Sequence, residues 1–209
     1  MTRVSSSAQS KFTSQLGFLA LKKGRLKAGE RTKFKIARAL EELMLADSFA
    51  SISVIRISDA AGISRQTFYN HFIDKQDLVG WIYDQIDVYT TSRIGIDLTW
   101  EEAVRTKLDF MKSKEPFFCE LYKAEAAGLL IERSVDTVYR YYELNLKRMA
   151  GITLSEISKL ELRQFCYGST GLVSEWARTG MIAAVDEVVR VERAALPSFA
   201  KSVFLGERN

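Results

Sequence analysis

A chain of 209 residues, 47% hydrophobic and 27% charged with only two Pro, is long enough for one sizeable core or for a small domain joined to a larger one. The net charge of +4 is unevenly placed: residues 1–75 hold 13 Lys or Arg against 6 Asp or Glu, and the remaining 134 hold 17 against 20. Charge alone leaves two readings of the basic front, a surface that meets a polyanion or an ordinary solvated face.

Few Pro, abundant Leu, Ala, Glu, Lys and Arg, and little polar–apolar alternation predict an all-α protein. Residues 1–30 read as a basic arm, Ser-rich and disordered at its start, with Lys22, Lys23, Arg25 and Lys27 around Gly24. From about 31 to 47, Ile36, Ala37, Leu40, Leu43 and Met44 recur at helical spacing. Ser53 is a natural N-cap for a helix over about 54–61, which Gly62 ends. Ser64 caps a third helix to about Phe72, with Phe68 and Phe72 as its buried stripe. A fourth helix starts at Asp74 and runs to about Arg93, joining a head of residues 31–76 to a body of residues 77–209.

In the body, "TWEE" (99–102) is a capping box opening a helix of about 100–114. Pro116 starts the next, to about Glu132, and another covers about 134–149. "TLSE" (153–156) reads as a second capping box, opening a long helix to Arg178 that Gly180 ends. A last helix, bent or interrupted at Pro197, covers about 186–204.

The stretch "ISDAAGISRQTFYNHFIDKQDL" (57–78) carries the functional signal. Helix, short Gly-containing turn and helix form the helix-turn-helix arrangement, which offers the start of its second helix to the DNA major groove. With Phe68 and Phe72 inward, the wheel leaves Arg65, Gln66, Thr67, Tyr69 and Asn70 outward or at the edge. Arg can fork onto guanine, Gln onto adenine, and Thr can offer its methyl to thymine. Tyr69, His71 and Lys75 suit phosphates, and the helix N-termini near Ser53 and Asp74 can point amides at them.

Residues 31–82 closely resemble the N-terminal domain of the tetracycline-repressor (TetR) family of bacterial regulators, through "AAGISRQTFYNHFIDKQDL" and in particular Gly62, Ser64, Thr67, Phe68, Tyr69, Phe72, Lys75 and Leu78. "GSTGLVSEWARTGM" (168–181) resembles that family's dimerisation helix more weakly. The resemblance implies an all-helical homodimer, usually a repressor, with a three-helix DNA-binding head and a larger ligand-binding body. It assigns Ser64, Arg65, Gln66 and Thr67 to the base-facing turn, and Tyr69, His71 and Lys75 to phosphate contacts. The family's heads begin close to the N-terminus, whereas about 30 residues precede the first helix here. That arm is either a minor-groove contact through Lys22, Lys23, Arg25 and Lys27 or a solubilising tail. The expected partner is a near-palindromic double-stranded operator whose half-sites lie about one helical turn apart.

For the body the residues themselves leave more open. Phe110, Met111, Phe118, Tyr122, Tyr139, Tyr142 and Phe165 are either core or the wall of a mostly apolar effector pocket. Glu125, Asn145, Arg148 and Arg163 are available as polar anchors, so the expected effector is apolar or amphipathic. Gly168 and Gly171 allow close helix approach, and Val173, Trp176 and Val189 add apolar surface for a two-fold interface. Val188, Val185 and Leu196 extend that surface on the last helix.

Catalysis lacks the residues for it. His71 is the single His, and Cys119 and Cys166 have no metal-ligand spacing, so neither a metal site nor a His-based triad is expected. Nor does a P-loop, dinucleotide fingerprint or serine elbow occur, and no cofactor is expected. The longest N-terminal apolar run, "LGFLAL" (16–21), is too short for a signal core or a membrane span. A cytoplasmic protein with reduced thiols is the expectation. An activator, or a protein-binding module on the same fold, remains the alternative to a repressor.

Overall fold

The computed structural model describes residues 27–123 and 127–207, whose secondary-structure elements are all helices, with no β-strand among them. The chain divides into two compact units, residues 1–82 and 83–209. The division falls inside one continuous helix, Lys75–Tyr89.

The head has helices α1 (Ala28–Leu43), α2 (Val54–Ala60), α3 (Arg65–Tyr69) and the start of α4 (Lys75–Tyr89), with a 3₁₀ turn at Phe49–Ser51. α1 begins three residues before the expected start, because the Lys27 N–H donates to the Glu30 carboxylate at 3.0 Å, which satisfies a first-turn donor. Phe34, Ile36, Leu40, Ile57, Phe68, Phe72, Leu78 and Ile82 are buried together as its core. Ser58 takes a buried position on α2 beside Ile57, and Ala60 is exposed. Trp81 closes this core edge-on against Phe34 at 5.0 Å and Phe72 at 5.7 Å, and Lys33 lies over the Phe72 and Trp81 rings.

The body contains α5 (Trp100–Ser113), α6 (Glu115–Lys123), α7 (Ala127–Ala150), α8 (Glu156–Arg178), α9 (Val185–Ala195) and α10 (Ser198–Phe204). Its largest packing contacts are α7 on α8, α6 on α8, and α9 on α5. The Thr99–Glu102 capping box is present as expected: Thr99 accepts from the Glu102 N–H at 3.2 Å and its own N–H donates to Glu102 at 2.8 Å.

Two expected boundaries differ, and one of the two readings at Pro197 holds. The helix break expected at 132–134 lies upstream of α7, so Ser134 sits mid-helix and buried. The N-cap of α8 is Ser155, whose hydroxyl accepts from the Ser158 N–H at 3.1 Å, rather than Thr153. Pro197 separates two helices rather than bending one: Leu196 before it is forced to an extended backbone, φ −53° and ψ 135°.

A cluster of Trp100, Val138, Tyr142, Leu146, Leu162, Phe165 and Phe204 forms the centre of the body. The Trp100 indole N–H donates to the Tyr142 hydroxyl at 3.0 Å, which gives both polar tips a partner inside an apolar core. Among the described residues no helix is long and apolar enough to cross a membrane.

Candidate nucleic-acid interface and body cavity

Two serines and one glycine set the recognition helix. The Ser53 hydroxyl accepts from the Arg56 N–H at 3.3 Å and starts α2. Gly62, at φ +56°, then reverses the chain in the left-handed region. The Ile63 N–H returns to the Ser58 carbonyl at 3.0 Å, so the end of α2 is closed by the turn itself. Ser64 starts α3 by accepting from the Thr67 N–H at 3.0 Å, and its hydroxyl shares a 2.9 Å hydrogen bond with that of Thr67.

Burial of Phe68 and Phe72 anchors α3 from below and leaves Arg65, Gln66, Tyr69 and Asn70 exposed. Tyr69 is 55% exposed yet held edge-on against Phe68, with ring centroids 5.6 Å apart. Gln66 donates to Asn70 at 3.1 Å, one turn apart, which orients both amides along the exposed face. His71 is half-buried beside Gly29 at the start of α1. The base-edge candidates thus share one short exposed face, while Ser53, Ser64 and Thr67 are engaged in capping.

Lys75 differs from its expected role as a free phosphate contact. Its ammonium donates to the carbonyls of Phe49, Ala50 and Ile52 at 2.7, 3.0 and 2.8 Å, and lies over the Phe49 ring at 4.6 Å. All three N–H donors are therefore spent on the turn before α2, and burial lowers its pKa. Lys75 acts as a clasp that fixes where α2 begins. The carbonyl ends of a 3₁₀ turn were invisible to sequence reasoning, so this role was missed. Of the arm residues, Lys27 is the N-cap of α1, and Lys22, Lys23 and Arg25 lie outside the described residues, as does Glu125.

The body holds a cavity of about 40 Å³ between α4, α5, α6, α7, α8 and α9. Of the seven expected pocket residues, Tyr122 and Tyr142 line it. Phe110, Met111, Phe118 and Phe165 are core residues instead, spent on packing such as the edge-on Phe110–Phe118 pair at 5.9 Å. Tyr139 lies at the surface of α7 under the Arg163 guanidinium. The polar anchors are also engaged elsewhere: Asn145 donates to the Thr91 carbonyl at 2.7 Å, Arg148 to the Ile94 carbonyl, and Arg163 to Asp136 at 2.7 Å.

The cavity wall is mostly apolar, through Val104, Leu108, Val138, Val173 and the tyrosines, with Lys107, Ser134, Ser169, Thr170 and Glu192 among its lining residues. Lys107 donates to the buried Asp87 carboxylate at 2.9 Å, and Thr91 donates to the same oxygen at 2.6 Å. Glu192 is only 3% exposed, and burial pushes its carboxyl up to about 7 against the smaller opposing effects of Ser169 and Lys107.

The expected interface residues separate in the same way. Val173, Trp176 and Val189 are 9%, 4% and 3% exposed within the single chain, and the Trp176 indole donates to the Ala183 carbonyl at 2.9 Å. Val188 and Leu196 are buried as well. A residue used up by its own core offers nothing to a partner, so these expectations are corrected. Gly168 and Gly171 are exposed, with open space where a Cβ would stand.

Comparison with known proteins agrees with the head's geometry. Residues 36–80 match the profile of the bacterial regulatory proteins, tetR family. The HTH-type dhaKLM operon transcriptional activator DhaS of Lactococcus lactis subsp. lactis (strain IL1403) is 28% identical over 87 residues, which is 42% of this chain and 46% of that protein. The matching region thus spans under half the length of that curated relative. The fold resembles the solved dihydroxyacetone kinase operon activator DhaS, with TM-score 0.56 and 18% identity over 78% of this chain and 94% of the other. It also resembles the TetR family repressor AlkX from Dietzia sp. strain DQ12-45-1b, with TM-score 0.54 and 16% identity over 86% and 98% of the two chains. The helix-turn-helix head, at residues 36–80, is thus similar to the tetR family of bacterial regulatory proteins.

Proposed function

We propose that the protein is a sequence-specific, DNA-binding transcriptional regulator that acts as a homodimer in the cytoplasm and answers to a small effector bound in its body. The observation that carries this reading is the face of α3. Ser64 and Phe68 fix the helix from its start and its underside, leaving Arg65, Gln66, Tyr69 and Asn70 exposed together. A rigid helix presenting forked and amide donors can read base edges, whereas a mobile one would lose that discrimination.

A second copy would seat on α8. Ile157 and Leu160, each 71% exposed, share one side of that helix with exposed Gly168 and Gly171, following the helical period. An isologous pairing along this side would pair two heads across a two-fold axis, as a near-palindrome requires. Effector in the body then favours one arrangement of the heads, and DNA affinity changes by the difference in its affinity for the two arrangements. Repression is the reading retained from the family. Activation is kept beside it because a relative that matches the head is named a transcriptional activator.

The test compares Arg65→Ala with Tyr69→Phe on a selected operator and on its single-base variants. Arg65→Ala is expected to cost about 1–3 kcal/mol and relax preference at one or two base pairs. Tyr69→Phe should weaken all sequences alike, as loss of a phosphate contact does. Equal losses on every sequence for both variants would contradict the assignment of α3 to base reading.

A further inference from the structure

The body cavity has a chemistry that its position alone does not explain. Wholly apolar cavities stay empty, whereas buried polar atoms without partners call for a guest that hydrogen-bonds. Beside the Tyr83 hydroxyl, two polar atoms in this wall lack a hydrogen-bond partner among the described residues: Oε1 of Glu192 and Oγ of Ser134. They stand on different helices, α9 and α7, and both residues are at least nine-tenths buried. Ser169, whose hydroxyl is hydrogen-bonded with the Glu192 carboxyl, and Thr170 line the same space from α8.

The charges nearly cancel. Lys107 is already paired with Asp87 at 2.9 Å, and the burial that raises the Glu192 carboxyl to about 7 keeps much of it protonated near neutrality. An anionic guest would meet the Glu192 carboxyl and a Lys107 ammonium already paired with Asp87, and a cationic one would meet that ammonium. Either would also lose its hydration without a free counter-charge. A serine hydroxyl and a protonated carboxyl can each donate or accept, and the group that complements both is another hydroxyl. A volume of about 40 Å³ corresponds to roughly three waters, so the guest is small.

From Oε1 of Glu192 and Oγ of Ser134, each without a partner at one nearly neutral cavity, we infer that the body binds a small, uncharged, polyhydroxylated molecule of the glycol or glycerol class. The ligand class rests on the cavity. Its role as effector rests on the regulatory reading above.

The experiment titrates the full chain by calorimetry with glycerol, n-propanol, propylammonium and propionate, at pH 6 and in parallel with operator binding. Glycerol is expected to bind saturably, in the millimolar range or tighter, and each of the other three at least tenfold more weakly. Ser134→Ala should weaken glycerol by roughly three- to tenfold, the worth of one neutral hydrogen bond. Glu192→Gln, which keeps shape and hydrogen-bonding capacity, should retain glycerol binding within a few-fold, while Glu192→Leu should abolish it. No saturable glycerol binding, with the cavity holding water only, overturns the inference. So does tighter binding of propylammonium that Glu192→Gln abolishes. Saturable glycerol binding with unchanged operator affinity upholds the ligand class and breaks the regulatory coupling. An apolar compound that displaces glycerol, binds more tightly and shifts operator affinity does the reverse.

Discussion

The head and the body use polar residues in opposite ways. In the head, serines cap helices, Lys75 clasps a turn, and the remaining polar side chains of α3 face outward. In the body, Asp87, Ser134, Thr137, Asn145, Thr170 and Glu192 are buried. Local hydrogen bonds of the first kind make a stiff, small scaffold whose exposed face is free to recognise something large. Buried polar groups of the second kind cost stability unless each finds a partner, so they persist where a partner is supplied. The contrast predicts that changes in the head act through shape, whereas changes in the body act through protonation and ligand.

The largest expected effect tests the head's shape. Phe68→Ala removes the side chain that holds α3 from below and should cost about 3–5 kcal/mol, read as an early thermal transition of the head. A transition unmoved by that change would mean α3 is held by something other than its buried face. In the body, the Glu192 carboxyl keeps its proton up to about 7 in the fold against 4.5 ordinarily. The folded state therefore gains below pH 4.5 and loses that gain as pH climbs through 7, on the order of 3 kcal/mol in all. Glu192→Gln should flatten this slope. A wild-type and variant difference that does not change with pH would show that Glu192 is not protonated in the fold.

A smaller effect sharpens the role of Lys75. Lys75→Met keeps the stem over Phe49 but leaves three carbonyls without their donor, and should lower head stability by about 1–3 kcal/mol. If stability is unchanged while the salt dependence of DNA binding falls by about one charge, Lys75 is a phosphate contact instead. The smallest change, Ser64→Ala, should cost about 1 kcal/mol through the lost N-cap. Operator affinity should fall with it as α3 frays, and a cost confined to stability would separate capping from recognition.

How much was legible in the sequence follows the same division. Ser53, Gly62, Ser64 and the Phe68–Phe72 pair act within a few residues of themselves, so their spacing alone located α2, the turn and α3. Lys75 was misread because its partners lie 23 to 26 residues away. In the body, aromatic stripes at helical spacing could not tell wall from core. Phe110 and Phe118 pack on each other, while Tyr122 and Tyr142 line the cavity beside Ser134 and Glu192, which carry no local pattern. The interface reading failed for a related reason: Val173, Trp176 and Val189 are apolar because they fill their own chain's core. The exposed side of α8, Ile157 and Leu160 with the two glycines, was half-seen through Gly168 and Gly171 alone.

The most direct measurement is selection of bound fragments from bacterial genomic DNA by the purified full-length protein, with the winner titrated at two salt concentrations. The account predicts a near-palindromic site bound on the order of a thousandfold tighter than random DNA, with preference that Arg65→Ala relaxes. Recovery of no sequence, with weak binding that falls steeply as salt rises, would instead make the head a non-specific polyanion surface and contradict the assignment of α3 to base reading.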